Sequence, residues 1–313
     1  MLIRELERVL GKDNILINEP LSRHTSFRIG GPAHRFLMPA GAEEVREAVR
    51  ILKEAEEPFF VMGNGTNLLV SDEGYNGTVI ALGKNMADIR TEGHTITADA
   101  GALLSKIAAE ALKESLTGFE FAAGIPGSLG GACVMNAGAY GGEMKDVLVS
   151  CEILTKEGDI RTVSGPELGL SYRHSALMER GDLVLSAALS LEEGRAEEIR
   201  ARMEDLKKRR QDKQPLELPS AGSTFKRPEG YFAGKLIMDA GLRGAREGGA
   251  CVSEKHCGFV VNDKGATAED VVRLMNRVRR TVYEQFGVVL EPEVRMLGEF
   301  HFTENENPWE DPA

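Results

Sequence analysis

Three short stretches carry side chains able to manage negative charge during a reaction. Arg173 stands in Ser171-Tyr172-Arg173-His174-Ser175. Its guanidinium is a fixed cation with a planar fork that matches a carboxylate. The local sequence does not separate that role from the surface position that most arginines take. Ser223 stands in Ala221-Gly222-Ser223-Thr224-Phe225, behind a glycine that lets backbone approach a ligand. Phe225 fills the place of the second glycine of a G-x-S-x-G elbow, so a hydrolase nucleophile is not indicated. A turn serine is the plain alternative. Glu293 stands in Leu290-Glu291-Pro292-Glu293-Val294-Arg295. In an extended chain Glu291, Glu293 and Arg295 share one face, while Leu290, Val294 and Met296 alternate with them. Spacing does not choose between the two glutamates.

Two glycine loops suit a large ligand. Gly63-Asn64-Gly65-Thr66-Asn67 follows a buried strand. Consecutive backbone N–H groups there can turn inward as an anion nest, and Asn and Thr side chains add neutral donors. A diphosphate is the usual guest; an ordinary turn is the alternative. No Gly-Lys-Ser/Thr follows and G-x-G-x-x-G is missing, so neither a Walker loop nor a dinucleotide Rossmann site is supported. The second stretch gathers Gly124, Gly127, Gly130, Gly131, Gly138, Gly141 and Gly142 with Pro126, Ser128 and Asn136. So many small residues suggest backbone packed against a large flat ligand. Ile125, Leu129, Val134 and Met135 are too apolar for a solvated linker.

The elements that must position these residues read as follows. The N-terminal MLIRELERVLGKDN has a charged amphipathic helix pattern. Residues 21–33 are a polar loop leading into a strand from Arg35. Ala42–Glu57 repeats Val45, Val49 and Leu52 at helix spacing and is stopped by Pro58. PFFVM is a buried strand ending on the first glycine loop. Thr78–Leu82 and His94–Ala98 read as strands. Leu103–Ser115 reads as a helix with Leu103, Leu104, Ile107, Ala108, Ala111 and Leu112 on one side. Val147–Leu154 and Ile160–Val163 flank Lys156-Glu157-Gly158-Asp159 as a hairpin, and Asp182–Leu191 is another strand. A charged helix, Arg195–Lys213, ends at Gln214-Pro215-Leu216-Glu217-Leu218-Pro219, where the domain boundary is placed. Beyond it come a helix Phe232–Ala240, strands Ala250–Ser253 and Phe259–Asn262, and a long helix from Thr267. Thr267 and Asp270 form a capping box there, and Val271, Leu274, Val278 and Val282 make the apolar face. A strand Val288–Met296 follows, then an acidic tail expected to be disordered. Hairpins and βαβ units together make the class α+β.

The 313 residues, with 42% hydrophobic and 28% charged, suit a soluble two-domain protein. A net charge of -11 argues against DNA, RNA and anionic membranes as partners. Cys133, Cys151, Cys251 and Cys257 show neither a disulfide framework nor zinc-site spacing, and reduced thiols are expected, even around His256. No signal peptide and no run of about 18 apolar residues is present, so a cytoplasmic location is expected.

GNGTNLLVSD and AGIPGSLGGACVMNAGAYGGE resemble the FAD-binding segments of the UDP-N-acetylenolpyruvoylglucosamine reductases, which share a flavin fold with vanillyl-alcohol-oxidase-type proteins. HTSFRIGGPA is similar to their N-terminal motif, SYRHS to their arginine motif, AGSTFKRP to their serine motif and EPEVR to their glutamate motif. The matches run in family order over roughly residues 20–298. The resemblance implies a vanillyl-alcohol-oxidase/PCMH-type FAD-binding domain over 1–213, of two α+β subdomains split near 57–70. An α+β substrate-binding domain would cover 214–300, with 301–313 as the tail. It implies FAD, with Gly63, Asn64, Gly65, Thr66 and Asn67 on the diphosphate. Gly124, Ile125, Pro126, Gly127, Ser128, Gly130, Gly131, Asn136, Ala137 and Gly138 would lie along the rest.

The implied chemistry is reduction of UDP-N-acetylglucosamine enolpyruvate to UDP-N-acetylmuramate. NADPH reduces FAD, and a hydride then passes to the terminal carbon of the enolpyruvyl group. Arg173 would pair with the carboxylate, Glu293, in its protonated form, would share the enolate charge, and Ser223 would protonate the alpha carbon. The resemblance thus chooses Glu293 over Glu291. Lys226 and Arg227 would meet the substrate diphosphate, though charge runs usually face water. Lys235 is a further cation, and Tyr172 would line the pocket. The segment from Arg173 to Ser223 has no room for a tyrosine-bearing lid loop, which places the chain with the type II branch. The rivals are another flavin oxidase of the same fold, disfavoured because no histidine stands in the glycine loops, and a non-catalytic UDP-sugar-binding protein.

Overall fold

The computed structural model describes residues 1–301. The chain forms two compact units. The first gathers Met1–Ile17, Arg35–Asn64 and Gly77–Arg210; the second gathers Asn18–His34, Gly65–Asn76 and the described residues from Gln211. Each unit has its own apolar core. Residues 18–34 and 65–76 thus cluster with the C-terminal part of the chain rather than with their neighbours in sequence.

In the first unit, helix Leu2–Leu10 buries Leu6 and Leu10, and helix Ala42–Glu54 buries Val45, Ala48, Val49 and Leu52. The second helix stops three residues earlier than its pattern predicts, because Glu56 turns left-handed at φ 51° before Pro58. Strand Phe59–Met62 then pairs parallel with Tyr75–Ala81, with Phe59 opposite Thr78 and Met62 opposite Ala81. It is the edge strand of a four-stranded sheet. A second sheet has the order Ile160–Ser164, Leu148–Leu154, Leu183–Ser190, Thr95–Asp99, Ile89–Glu92, every neighbour antiparallel. The expected hairpin closes with Leu154 opposite Ile160. Helix Leu104–Lys113 packs Leu104, Ile107, Ala108 and Ala111 inward. Leu103, expected on that apolar side, is 37% exposed. It precedes the helix and bridges to Ser128 instead. Strand Ile89–Glu92 was not expected, since Ile-Arg-Thr-Glu is short and mostly polar.

In the second unit, strands Arg246–Glu247, Ala250–Val252 and Val260–Asn262 form an antiparallel ribbon. Helix Ala268–Phe286 fully buries Val271, Leu274, Val278 and Val282. The capping box is present: Asp270 N–H donates to Thr267 Oγ1 at 3.0 Å, and Thr267 N–H to Asp270 Oδ2 at 3.1 Å. Helix Ala233–Asp239 matches expectation. The expected strand Val288–Met296 is corrected. Only Arg295–Leu297 is a strand, paired parallel with Leu68–Val70. Before it, Pro292 has no N–H to give a ladder and makes one isolated bridge, to Phe225. The acidic tail from Thr303 lies outside the described residues. Among the described residues no helix is long and apolar enough to cross a membrane.

Candidate active site

Within the first unit the first two residues of one glycine loop meet the other loop. Strand Phe59–Met62 delivers Gly63 and Asn64, and the Asn64 amide donates to the Pro126 carbonyl at 2.6 Å. A Cβ on Gly63 would stand 2.1 Å from Ser128 Oγ, so glycine there leaves the hydroxyl its present position. Ser128 is buried, and its hydroxyl has no hydrogen-bond partner among the described residues. It precedes the short helix Leu129–Val134 without capping it. An orphaned buried hydroxyl costs about 1–3 kcal/mol unless something answers it. A donor held beside a glycine cradle fits a phosphate-bearing cofactor such as FAD. Gly131 is exposed, and among the described residues outside its own helix Ser128 Oγ, at 3.9 Å, is the one atom within 4 Å of the place of a Cβ. Gly124 is exposed too and lies against Arg210, whose Cδ would be 3.2 Å from a Cβ. Burial lowers the pKa of the Arg210 guanidinium, with Tyr140 opposing the shift. Arg210 sits in a charged helix and carries no local signal that could have marked it in the sequence. Gly127 is half-buried, and Pro126 is exposed.

Not every glycine of the second loop faces ligand space. Gly130 packs on Ala100, Gly138 on Glu143, and Gly142 on the Phe121 ring. Ile125 packs against the core. Ala137 is half-buried, and its N–H donates to Ala132. Asn136 is buried with a left-handed φ of 41°. Its amide nitrogen donates to Glu143 Oε2 at 2.7 Å and to the Ser171 carbonyl at 3.1 Å. Its amide oxygen accepts the Lys145 N–H at 2.9 Å. The Asn136 side chain is thereby turned to protein groups at both ends.

Arg173 rides on a tight turn. Ser171 and His174 exchange backbone hydrogen bonds, each 3.1 Å, and Arg173 between them is left-handed at φ 55°. Its guanidinium carbon stands 5.2 Å from the Tyr172 ring centre, and Tyr172 is 53% exposed. Below the turn, buried Ser175 donates from Oγ to the Val134 carbonyl at 2.7 Å.

In the second unit the serine and glutamate segments form one layer. Gly222 is left-handed at φ 77° and turns the chain into Ser223, which is exposed. Thr224, next to it, is buried and fixed on two sides. Its N–H donates to the Gly258 carbonyl at 2.9 Å and its Oγ1 accepts from Val260 N–H at 2.8 Å. Its carbonyl accepts the Glu293 N–H at 2.9 Å. Ser223 and Glu293 therefore stand on adjacent backbone held through one buried threonine. Glu293 is half-buried. Asn67 also holds the glutamate segment: its amide donates to the Glu293 carbonyl at 3.0 Å, and its own carbonyl accepts the Arg295 N–H at 3.0 Å. The HTSFRIGGPA motif props the same layer, since Ser26 Oγ donates to the Ser220 carbonyl at 2.6 Å and Asn262 donates to the Phe27 carbonyl at 3.2 Å. Gly65 is buried and its carbonyl accepts the Ser26 N–H; Thr66 is half-buried.

Glu291 is exposed and forms an ion pair with Lys226. The Arg227 guanidinium stacks 4.0 Å from the Phe232 ring centre, and its Nε donates to the Tyr231 carbonyl at 3.3 Å. Lys235 pairs with Asp239. The four cysteines are free and buried. Among the described residues, a group with metal-ligand spacing is Glu73, Glu299 and His301, all exposed.

Two family models match the chain: an FAD binding domain over residues 33–164, and the C-terminal domain of UDP-N-acetylenolpyruvoylglucosamine reductase over residues 214–297. The chain is 53% identical to the UDP-N-acetylenolpyruvoylglucosamine reductase of Lachnoclostridium phytofermentans, over 96% of this chain and 98% of that one. It is 53% identical to the enzyme of that name from Agathobacter rectalis, over 95% and 98% of the two chains. The crystal structure of the Thermus caldophilus reductase superposes with a TM-score of 0.77 at 36% identity, covering 90% of this chain and 98% of that one.

Proposed function

Because the chain belongs to the UDP-N-acetylenolpyruvoylglucosamine reductases, flavin-dependent oxidoreductases with a vanillyl-alcohol-oxidase/PCMH-type FAD-binding domain, we propose the specific reaction that it performs. It reduces UDP-N-acetylglucosamine enolpyruvate to UDP-N-acetylmuramate with NADPH, a cytoplasmic step of peptidoglycan precursor synthesis. FAD, when bound, supplies the hydride chemistry, accepting from NADPH and delivering to the terminal enolpyruvyl carbon. Gly63, Asn64 and Ser128 would hold its diphosphate, and Gly131, Gly124 and Gly127 would lie along the rest.

The protein's part is to manage the charge that the hydride creates. Negative charge gathers on the alpha carbon and its carboxylate. Arg173 pairs with the carboxylate through its fork. Glu293, in its protonated form, hydrogen-bonds to the enolate. Ser223 gives its proton to the alpha carbon, and water restores it. Arg227, stacked on Phe232, and Lys226, paired with Glu291, are the cations offered to the substrate diphosphate. Tyr172, exposed beside Arg173, lines the substrate side. The observation that carries the reading is the shared support of Ser223 and Glu293 on Thr224, which sets a proton donor and an acid on one layer.

The test is a visible spectrum of the S223A variant and the parent protein. Both should be yellow and bleach with anaerobic NADPH. The parent should recolour on adding UDP-N-acetylglucosamine enolpyruvate, and S223A should recolour at least about a hundredfold more slowly, the range that general acid catalysis supplies. Equal recolouring would remove Ser223 from the mechanism. A parent protein that recolours only with oxygen would be an oxidase.

A further inference from the structure

We propose that Asn136 and Ser175 are positioning residues for Arg173, clamping the arginine turn to the end of the cofactor loop. The proposal rests on the reading of Arg173 as the carboxylate partner. A left-handed arginine in a four-residue turn has no intrinsic reason to persist. Its two backbone bonds, Ser171 to His174 and back, close the turn but do not anchor it. The anchors come from the glycine loop. Asn136 donates to the Ser171 carbonyl, and Ser175 donates to the Val134 carbonyl. The two bonds grip the turn on either side of Arg173.

Asn136 is built for this work. It is buried at 1% exposure, and asparagine tolerates the left-handed backbone found there. All its polar capacity of note is committed: Glu143 and Ser171 to the nitrogen, Lys145 to the oxygen. A side chain so engaged has little left for a cofactor, which separates it from its neighbours in the loop. Glu143 in turn caps the turn Met144–Asp146, so the clamp is fixed from behind. Ser175 is fully buried and is the N-cap residue of helix Ala176–Arg180, yet its hydroxyl leaves the helix uncapped and reaches Val134. A serine that forgoes its local capping bond for a partner 41 residues away serves the distant partner.

The consequence is that the backbone from which the Arg173 side chain extends stands at a fixed place relative to the Leu129–Val134 helix. A displacement of about 1 Å of a group that orients substrate can cost on the order of a hundredfold in rate. The test compares N136A, S175A, R173A and the two doubles with R173A, each in the full-length holoenzyme. FAD content and the rate of flavin recolouring by UDP-N-acetylglucosamine enolpyruvate are measured. N136A should retain FAD and lose about tenfold to a hundredfold in that rate, and S175A should lose severalfold. If they act through Arg173, N136A/R173A and S175A/R173A should be no slower than R173A alone. Losses that multiply in the doubles would mark a general structural role and overturn the proposal, as would single variants with parental rates. Should N136A fail to fold, S175A and its double decide the matter by the same criteria. If R173A itself recolours at the parental rate, Arg173 is not the carboxylate partner, and that reading falls together with the clamp that depends on it.

Discussion

A carbon added at Gly63 would have to displace the Ser128 hydroxyl. The Ser128 hydroxyl is buried and unanswered by protein, and glycine at 63 is what leaves it open. Replacing Gly63 by alanine would drive a methyl into that oxygen at 2.1 Å, while Ser128 Cβ stays 3.4 Å away. Overpacking of this kind costs about 1–3 kcal/mol. We expect G63A to be purified with less FAD and to bind added FAD more weakly, by titration of flavin fluorescence. In G63A/S128A the clash disappears, so packing should recover while the phosphate donor stays lost. FAD affinity in the double should therefore exceed that of G63A and fall short of the parent. Parental affinity in G63A would remove the cradle from the cofactor site. At this scale the sequence is partly legible. It marks residue types, such as a glutamate before Val-Arg, but spacing leaves Glu291 and Glu293 alike, and the ion pair of Glu291 with Lys226 is not written in it. The left-handed backbone at Arg173 and the commitment of Asn136 to protein partners leave no trace in spacing, because both depend on chain 35 residues away.

Helix Ala268–Phe286 shows what the sequence specifies well and what it leaves out. Four apolar residues at helix spacing and a Thr-x-x-Asp box marked its start and face, and both are present. Its other N-terminal cap comes from elsewhere. Asp72 accepts the Ala268 N–H at 2.9 Å and the Glu269 N–H at 3.3 Å, placing a carboxylate on the positive end of the helix dipole. Charge-assisted bonds of this sort are worth about 1.5–3 kcal/mol. D72A should lower the urea midpoint by an amount equal to about 2 kcal/mol of stability, with D72N in between since its amide oxygen still accepts. A loss below about 0.5 kcal/mol would be the size of an ordinary surface change and would make Asp72 a bystander. The misread elements share a cause. Strand Ile89–Glu92 is polar because one short edge needs little burial, and residues 288–294 alternate like a strand although Pro292 cannot join a ladder. Local pattern is decisive where an element buries a long face and weak where a neighbour supplies the bonds.

At the scale of the molecule, each unit buries its own core, while the FAD-binding family model covers residues 33–164, mostly in the first unit. The α+β class was legible from hairpins and βαβ units, and the cofactor from the resemblance of the two glycine loops to FAD-binding segments. The interleaved assignment of 18–34 and 65–76 to the second unit was not, because no shift in composition attends those crossings. This organisation makes cofactor stabilisation local. In the loop 121–143 the buried Ser128 hydroxyl has no hydrogen-bond partner among the described residues. The helix Ala268–Phe286 is closed by its own apolar face and caps. A ligand present at a hundredfold over its Kd stabilises what it binds by about 2.7 kcal/mol, close to a hundredfold in local opening. Stripping FAD should therefore speed amide hydrogen exchange across 121–143, up to about a hundredfold, and leave the amides of Ala268–Phe286 near their holoenzyme rates. Returning FAD should restore protection in the loop at concentrations tracking its Kd. An equal acceleration in the long helix would mean that the two cores open as one, and that FAD stabilises the whole chain rather than the segment built around it.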